Sequence, residues 1–438
     1  MSNKYHNPSG FPENLPAEQI VEERMKKQMR MACESFGYVP LETSAVEYIE
    51  TISSKGDINK EIYTIGRALG EGEGQESDRA LRFDLTVPFA RYVAQHYGDL
   101  VFPFKRYQIQ RVWRGERPQK GRFREFYQAD IDIIANEKLP LFFDAEVVTV
   151  VQNVLGNFNI GSFTIHINNR KFLQGILEAF SIKNTEAALR IIDKFDKVGF
   201  DVTKASLVND IGISEDDGIK ILDILDRKVP VLEIENYFDT ININNDLIKE
   251  GKEELLEVAK FLKDVKVKNG KFVLNPRIAR GLDYYTGSVY ETTIDGLEKY
   301  GSICSGGRYA NLAGKFINKK LPGVGVSIGL TRLLDVIKNE KLATFGKSTL
   351  TKTLIGLTHE DQRLGANEIA YVLRSSNINT EVFHNGSTDI GKQLQYRIKK
   401  GIDYFLIINN NSTFTLKISN NTEETFVDIK DVIKSINK

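Results

Sequence analysis

The sequence predicts a multidomain chain of mixed α/β and α+β class. Three observations predict it. Between residues 105 and 135, two segments of period-two hydrophobicity flank a linker, ERPQKGR, with proline and glycine, which is the pattern of an antiparallel hairpin with a long tip. From 170 to about 265, helical periodicity and caps dominate with few strand signals. Beyond 351, short β-like runs alternate with helical stretches, which suggests a small α/β unit with a mainly parallel sheet. A length of 438 residues suits two to four domains, each able to bury its own core.

The elements follow in order. Pro16 and Glu18 mark a helix start; Ile20, Val21, Met25, Met29, Ala32 and Phe36 recur at helical spacing until Gly37 stops it. In LRFDLTVPFARYVAQHY, 81–97, Leu81, Phe83 and Leu85 alternate with Arg82, Asp84 and Thr86. This predicts a short strand, with Asp84 and Thr86 on one face, leading into a helix opened by Pro88. On the second strand of the hairpin the odd positions Phe123, Tyr127, Ala129, Ile131 and Ile133 form an apolar face broken only by Glu125. The even positions Arg122, Arg124, Phe126, Gln128, Asp130 and Asp132 then share the opposite face, which Arg114 joins from the first strand. That surface carries cations at one end and carboxylates at the other.

A helix is expected at about 144–156, then the strand FTIHI, then the helical stretch containing SEDDGIKILDIL and NDLIKEGKEELLEVAKFLKDV. Strands resume at 271–294. Two glycine-rich turns, SGGRY (305–309) and PGVGVSIGL (322–330), precede the helix TRLLDVIKNE, with Arg332 in its first turn. LATFGKSTLTK, 341–351, has the character of a linker. The strands KTLIGL, TEVFH, YFLIIN and TFTLKIS follow, with helices around 361–375 and 390–400 and at the end of the chain.

Composition narrows the function. The chain has 59 basic and 59 acidic residues, so its zero net charge argues against non-specific polyanion binding but permits a local basic patch. Two distant cysteines, Cys33 and Cys304, offer neither a disulfide framework nor zinc spacing, which points to a reducing, cytoplasmic setting. The N-terminal stretch lacks an apolar signal region and no apolar run is long enough to span a bilayer, so no membrane association is expected. The five histidines are scattered without metal spacing.

Four segments carry more than scaffold: RFDLT, the arginine-rich hairpin, ARGLDYYTG and GVGVSIGLTRL. Together with SGGRY they resemble histidyl-tRNA synthetases, a family of class II aminoacyl-tRNA synthetases, across nearly the whole chain. RGERPQKGRFREFYQ resembles the class's second motif and GVGVSIGLTRL its third, while RGLDYYTG and SGGRY are similar to the two signatures that separate the histidine enzymes from their class II relatives. The resemblance implies a class II catalytic domain, an antiparallel sheet with flanking helices, from residues 1–169 and 268–340. It also implies a helical insertion at 170–267, a linker at 341–351 and an α/β anticodon-binding domain at 352–438.

The implied reaction starts with attack of an amino-acid carboxylate on the α-phosphorus of ATP. That nucleophile is already an anion at pH 7, so catalysis reduces to holding two anions together and neutralising charge on phosphate oxygens. Arginine suits the task, because its planar fork binds phosphate and carboxylate bidentately and stays charged. By resemblance, Arg114 holds the α-phosphate and the attacking carboxylate, and Arg280 acts on the α-phosphate from the other side. Glu116 accepts from the adenine amino group, Phe126 stacks on adenine, and Arg122 and Arg332 hold the outer phosphates, which magnesium (Mg2+) bridges. Asp84, Thr86 and Gln128 take the α-amino end of histidine; Asp132 and Tyr285, with Tyr309 nearby, take the imidazole. Arg117, Gln119 and Lys120 at the hairpin tip contact the acceptor end of tRNA(His). A homodimer is implied, and no resident protein-held metal.

Some positions depart from the family pattern. Ser44 stands where the first motif usually has proline, Ala310 follows SGGRY in place of an acid, and Thr331 precedes Arg332 where glutamate is frequent. Asp130 shares the sorted face without an assigned role. Two rival readings exist: a class II synthetase for another amino acid, and a catalytically inactive paralogue that binds histidine or tRNA as a regulator. The RGLDYYTG and SGGRY pair argues against the first. The retained hairpin arginines, Arg280 and C-terminal unit argue against the second.

Overall fold

Proline and acid in the first turn start helix α1 (Pro16–Ser35), and Gly37, at φ +78°, ends it in the left-handed conformation that glycine tolerates. The computed structural model describes residues 5–53, 61–66, 77–263, 265, 270–279, 285–343, 345–384, 388–409, 413–418 and 422–438. After α1 come β1 (Val39–Pro40), β2 (Val46–Tyr48), α2 (Ile49–Ser53), β3 (Arg79–Leu81) and α3 (Thr86–Gln95). The hairpin follows as β4 (Phe104–Trp113) and β5 (Glu125–Ile134), then α4 (Phe142–Gly156) and β6 (Phe163–Asn169). The next stretch holds α5 (Arg170–Ala179), α6 (Thr185–Ile192), α7 (Phe195–Val198), α8 (Phe200–Ser206), α9 (Glu215–Leu225), the short β7 (Val229–Pro230), α10 (Ile234–Asp239) and α11 (Asp246–Leu262). β8 (Gly270–Leu274), β9 (Tyr285–Ile294), β10 (Cys304–Tyr309), β11 (Gly323–Gly329) and α12 (Leu330–Asn339) complete this part.

Among the described residues nine of these strands form one sheet, in the order β1-β4-β5-β11-β10-β9-β6-β8-β7. Its ladders from β4 through to β6 are antiparallel, with parallel pairs only at β1–β4 and β6–β8. The odd face of β5 is covered by helices: Met29 and Cys33 of α1 and Val154 of α4 meet Tyr107, Ile109, Ala129, Ile131 and Ile328. Burial of this apolar layer is the main stabilising term, at about 25 cal/mol per Å² removed from water.

The glycine-rich segments are not turns. SGGRY and GVGVSIG are the paired strands β10 and β11, in the middle of the sheet. Glycine weakens a strand in isolation, but here it lets neighbours approach: a Cβ on Gly306 would lie 2.1 Å from the Gly325 carbonyl oxygen. The arginine of SGGRY is an anchor, since Arg308 binds the fully buried Asp144 at the start of α4 through Nε at 3.0 and 3.1 Å and through Nη2. Tyr290 Oη donates to the same carboxylate at 3.2 Å.

In the helical stretch α5 and α11 cross closely. A Cβ on Gly251 would come within 2.5 Å of the Phe172 backbone nitrogen, and one on Gly175 within 2.7 Å of that of Ile248. Asn169, Asn184, Ser214 and Asn245 cap the helices they precede. Arg277 ties the stretch to the strand after it, through Asp196 at 3.2 Å and Asp226 at 2.8 Å.

The remainder holds β12 (Thr353–Gly356), α13 (Arg363–Ser375), β13 (Thr380–Val382), α14 (Ile390–Lys400), β14 (Tyr404–Ile408), β15 (Phe414–Lys417), β16 (Glu423–Phe426) and α15 (Ile429–Asn437). Its sheet, β13-β12-β14-β15-β16, is parallel across β13, β12 and β14 and antiparallel beyond, so it is mixed rather than mainly parallel. β16 adds a polar edge strand, EETF, whose sequence carries no apolar alternation. The chain divides into two compact units, Met1–Pro12 with Met25–Ala343, and Glu13–Arg24 with Thr344–Lys438.

Candidate active site

The even face of β5 organises the site. Gln128, Asp130 and Asp132 are buried there, at 9, 2 and 3% exposure. Their register partners on β4 are Gln110, Gln108 and Arg106; on β11 they are Gly329, Ser327 and Gly325. The glycine opposite Asp132 clears space for its carboxylate, because a Cβ on Gly325 would sit 2.0 Å from Asp132 Oδ1. Gly323 does the same for Tyr309, whose ring would lie 2.3 Å from an added Cβ. Tyr309 Oη donates to Asp132 Oδ1 at 3.3 Å, and Arg106 Nη2 lies 2.8 Å from Asp132 Oδ2. Tyr285 on β9 is the register partner of Tyr309 and packs with Ile278 and Val289. Gln128 Nε2 donates to Ser327 Oγ at 2.8 Å.

Asp84 and Thr86 do not share a strand face. β3 ends at Leu81, and Asp84 lies in the turn into α3, where its Oδ1 accepts from Val87 N at 3.1 Å. Thr86 is the first residue of α3, so Pro88 falls inside the first turn. An aspartate that bonds the backbone ahead of it favours a helix entrance over a strand. Two arginines hold this turn from the sheet: Arg114 Nε donates to Phe83 O at 3.0 Å, and Arg106 Nη2 to Leu85 O at 3.2 Å. A third, Arg82, turns inward to Thr43 O, Ser44 O and Gln110, and burial lowers its guanidinium to about 10.

The cationic end is built on the hairpin tip, not on the strand. β5 starts at Glu125, so Arg122 and Arg124 precede it. Gly121, at φ +70°, and the bridge between Gln119 and Arg122 turn the chain there, which takes both arginines out of the alternation. Arg122 Nη1 reaches Glu116 Oε2 at 3.5 Å. Arg332, in the first turn of α12, donates to Gly121 O at 2.9 Å and Ser302 O at 2.6 Å. Its pKa is held below the usual value by burial first and then by the Arg122 and Arg114 guanidiniums. Arg332, repelled by both Arg122 and Arg114, is matched by an anion with several oxygens. The Arg114 guanidinium lies 5.2 Å from the Phe126 ring centroid, on that same face. Arg117, Gln119 and Lys120 are exposed, with Lys120 Nζ 5.0 Å from the Tyr300 ring centroid. Arg280 and Tyr284 lie outside the described residues.

Three features escaped the reading of the sequence. Arg106 lies under Asp132; its signal was a cation within the alternating run KRYQIQ, whose strand partner carries the carboxylates. Ser327 bridges toward Gln128 but looks like any small residue of a glycine-rich strand. Thr331, at the position where glutamate is frequent, accepts from Tyr127 N at 2.9 Å and so joins α12 to β5. Asp130 is raised to about 7, chiefly by burial and further by Asp132, with Arg106 opposing.

Comparison with known proteins follows the same lines. The model of the histidyl-tRNA synthetase family matches residues 10–333. A histidine–tRNA ligase of Thermobifida fusca (strain YX) is 45% identical over 397 residues, 90% of this chain and 90% of that protein. The crystal structure of histidyl-tRNA synthetase from Nostoc sp. PCC 7120 superposes with a TM-score of 0.89 at 34% identity, covering 100% of this chain and 99% of that one. A Bacillus halodurans C structure described as an ATP phosphoribosyltransferase regulatory subunit/histidyl-tRNA synthetase covers 90% of this chain and 97% of its own, with a TM-score of 0.74. At 20% identity it shares the fold alone.

Proposed function

The chain belongs to the histidyl-tRNA synthetase family, and from that premise we infer how its residues divide the work. The protein is a histidine–tRNA ligase of class II: it activates histidine with ATP and passes it to tRNA(His). One observation carries the residue-level reading. The Asp132–Tyr309 pair lies at one end of a strand face, and at the other Arg332, tied to Gly121 at the hairpin tip, feels the charges of Arg122 and Arg114.

Asp132 and Tyr285, with Tyr309 behind them, take the imidazole, whose two ring nitrogens match a carboxylate and a phenol. The Asp84–Thr86 turn and Gln128 take the α-amino group. This leaves the histidine carboxylate toward Arg114, which also takes the α-phosphate, so nucleophile and electrophile meet on one guanidinium. Phe126 stacks on adenine and Glu116 accepts from its amino group. Arg122 and Arg332 hold the outer phosphates, and Arg280 stabilises the α-phosphate. Magnesium enters with ATP as part of the substrate; among the described residues no group of three or more His, Cys, Asp or Glu could hold a metal by itself. After activation, the tRNA acceptor end lies against Arg117, Gln119 and Lys120, and residues 352–438 bind the anticodon. The working form is a cytoplasmic homodimer.

Amino-acid-dependent exchange of pyrophosphate into ATP tests the reading. Exchange with histidine alone is expected; exchange with no amino acid, or with another in its place, would overturn it. Arg280→Ala is expected to abolish exchange with little change in melting temperature, and an active variant would remove Arg280 from the mechanism.

A further inference from the structure

Arg106 is fully buried near the start of β4, at 0% exposure. Its Nη2 lies 2.8 Å from Asp132 Oδ2 and donates to Leu85 O at 3.2 Å. Its guanidinium carbon stands 4.3 Å from the Phe89 ring centroid, and among the described residues its Nε and Nη1 have no hydrogen-bond partner. Desolvating a guanidinium is unfavourable, and a buried ion pair can often be replaced by apolar residues without loss of stability. Fold stability alone is therefore a weak reason for this arginine.

The geometry offers a stronger one. Leu85 stands between Asp84 and Thr86, the turn read above as the α-amino subsite, and Asp132 is read as the imidazole subsite. One guanidinium nitrogen touches both. The α-amino and imidazole groups of histidine are a fixed few bonds apart, so a site for both needs a fixed spacing. α3 and β5 are separate elements, and Arg106 reaches both from a third.

We propose that Arg106 is a positioning residue for histidine recognition, its guanidinium setting the spacing between the imidazole and α-amino subsites by holding Asp132 and the Leu85 carbonyl together. This rests on the subsite reading above. Lysine keeps the charge but not the rigid planar fork, and methionine removes both.

Arg106→Lys and Arg106→Met, assayed by pyrophosphate exchange, are expected to raise KM for histidine by about 10-fold and about 100-fold, since misplacement by an ångström can cost that much. KM for ATP should move less than about 2-fold, because the phosphate end is held by other arginines. Binding of L-histidinol, which has the amine and the imidazole but no carboxylate, should weaken by the same factors. That readout needs no chemistry. If Arg106→Met does not fold, Arg106→Lys decides. An unchanged histidine KM in a folded variant, an equal rise in both KM values, or failure of the charge-keeping lysine variant to fold would each assign Arg106 to stability and overturn the proposal. Wild-type protein that does not exchange with histidine would instead sink the functional reading itself.

Discussion

At the scale of single residues, charge in the buried strip decides behaviour. Asp130 faces Gln108 from β4 and Ser327 from β11, and it feels the charges of Arg106, of Asp132 along its own strand and of Asp84 at the α3 entrance. Its carboxyl is raised from the usual 3.8 to about 7. The folded state therefore keeps a proton that the unfolded state has released over that range, and the associated stability is present below pH 3.8 and lost as pH rises through about 7. Asp130→Asn removes the titration, so the urea midpoint of the wild type is expected to fall relative to the variant between pH 4 and pH 8. A constant difference across that range would contradict the raised pKa. Gly325→Ala tests the clearing beside Asp132: the added methyl should displace the carboxylate and raise KM for histidine by about 10-fold or more, with ATP affinity kept. The shared face of Gln128, Asp130 and Asp132 was legible from alternation, while the roles proposed for Arg114, Asp132 and Arg332 rest on the family resemblance. Arg106 was not legible, because a cation on a strand reads as solvent-facing until the register puts it opposite Asp132.

At the scale of elements, periodicity located the hairpin and its polar face but misjudged where the strand begins. Alternation from Arg122 onward looked continuous, yet Gly121 turns the chain and the ladder starts at Glu125. RFDLT failed in a similar way, because a capping aspartate mimics strand alternation over five residues. SGGRY was read as a turn, and GVGVSIG as both a turn and the end of a small-residue strand, since a single sequence shows the permissiveness of glycine, not the side chain that fills the space it leaves. The same logic yields a stability test between α5 and α11. Gly251→Ala forces a Cβ to within 2.5 Å of the Phe172 backbone nitrogen, and is expected to destabilise by about 1–3 kcal/mol, read by denaturant unfolding. An unchanged midpoint would mean the helices part freely.

At the scale of the whole molecule, a net charge of zero hid the feature that matters, the order of charges along one hairpin. Among the described residues no helix is long and apolar enough to cross a membrane. The mixed class and the hairpin were legible from alternating and helical periods, whereas the mid-sheet strand β10 and the antiparallel half of the C-terminal sheet were not; β16 escaped because an edge strand of polar residues carries no burial pattern. Exposed cations at the tip give the molecule its proposed contact with the tRNA acceptor end. Arg117→Ala with Lys120→Ala is expected to raise KM for tRNA by about 10-fold while leaving pyrophosphate exchange unchanged, since solvent-exposed charge pairs are typically worth about 0.2–1 kcal/mol each. Equal loss in both assays would place these residues in activation instead.

The central claim is that one face of β5 sorts histidine from ATP along its length. The steady-state KM for histidine in Asp132→Asn tests it most directly. The account predicts a rise of about 100-fold with KM for ATP nearly unchanged, because the amide cannot replace the carboxylate at the imidazole. A folded Asp132→Asn protein with wild-type KM for histidine would contradict it.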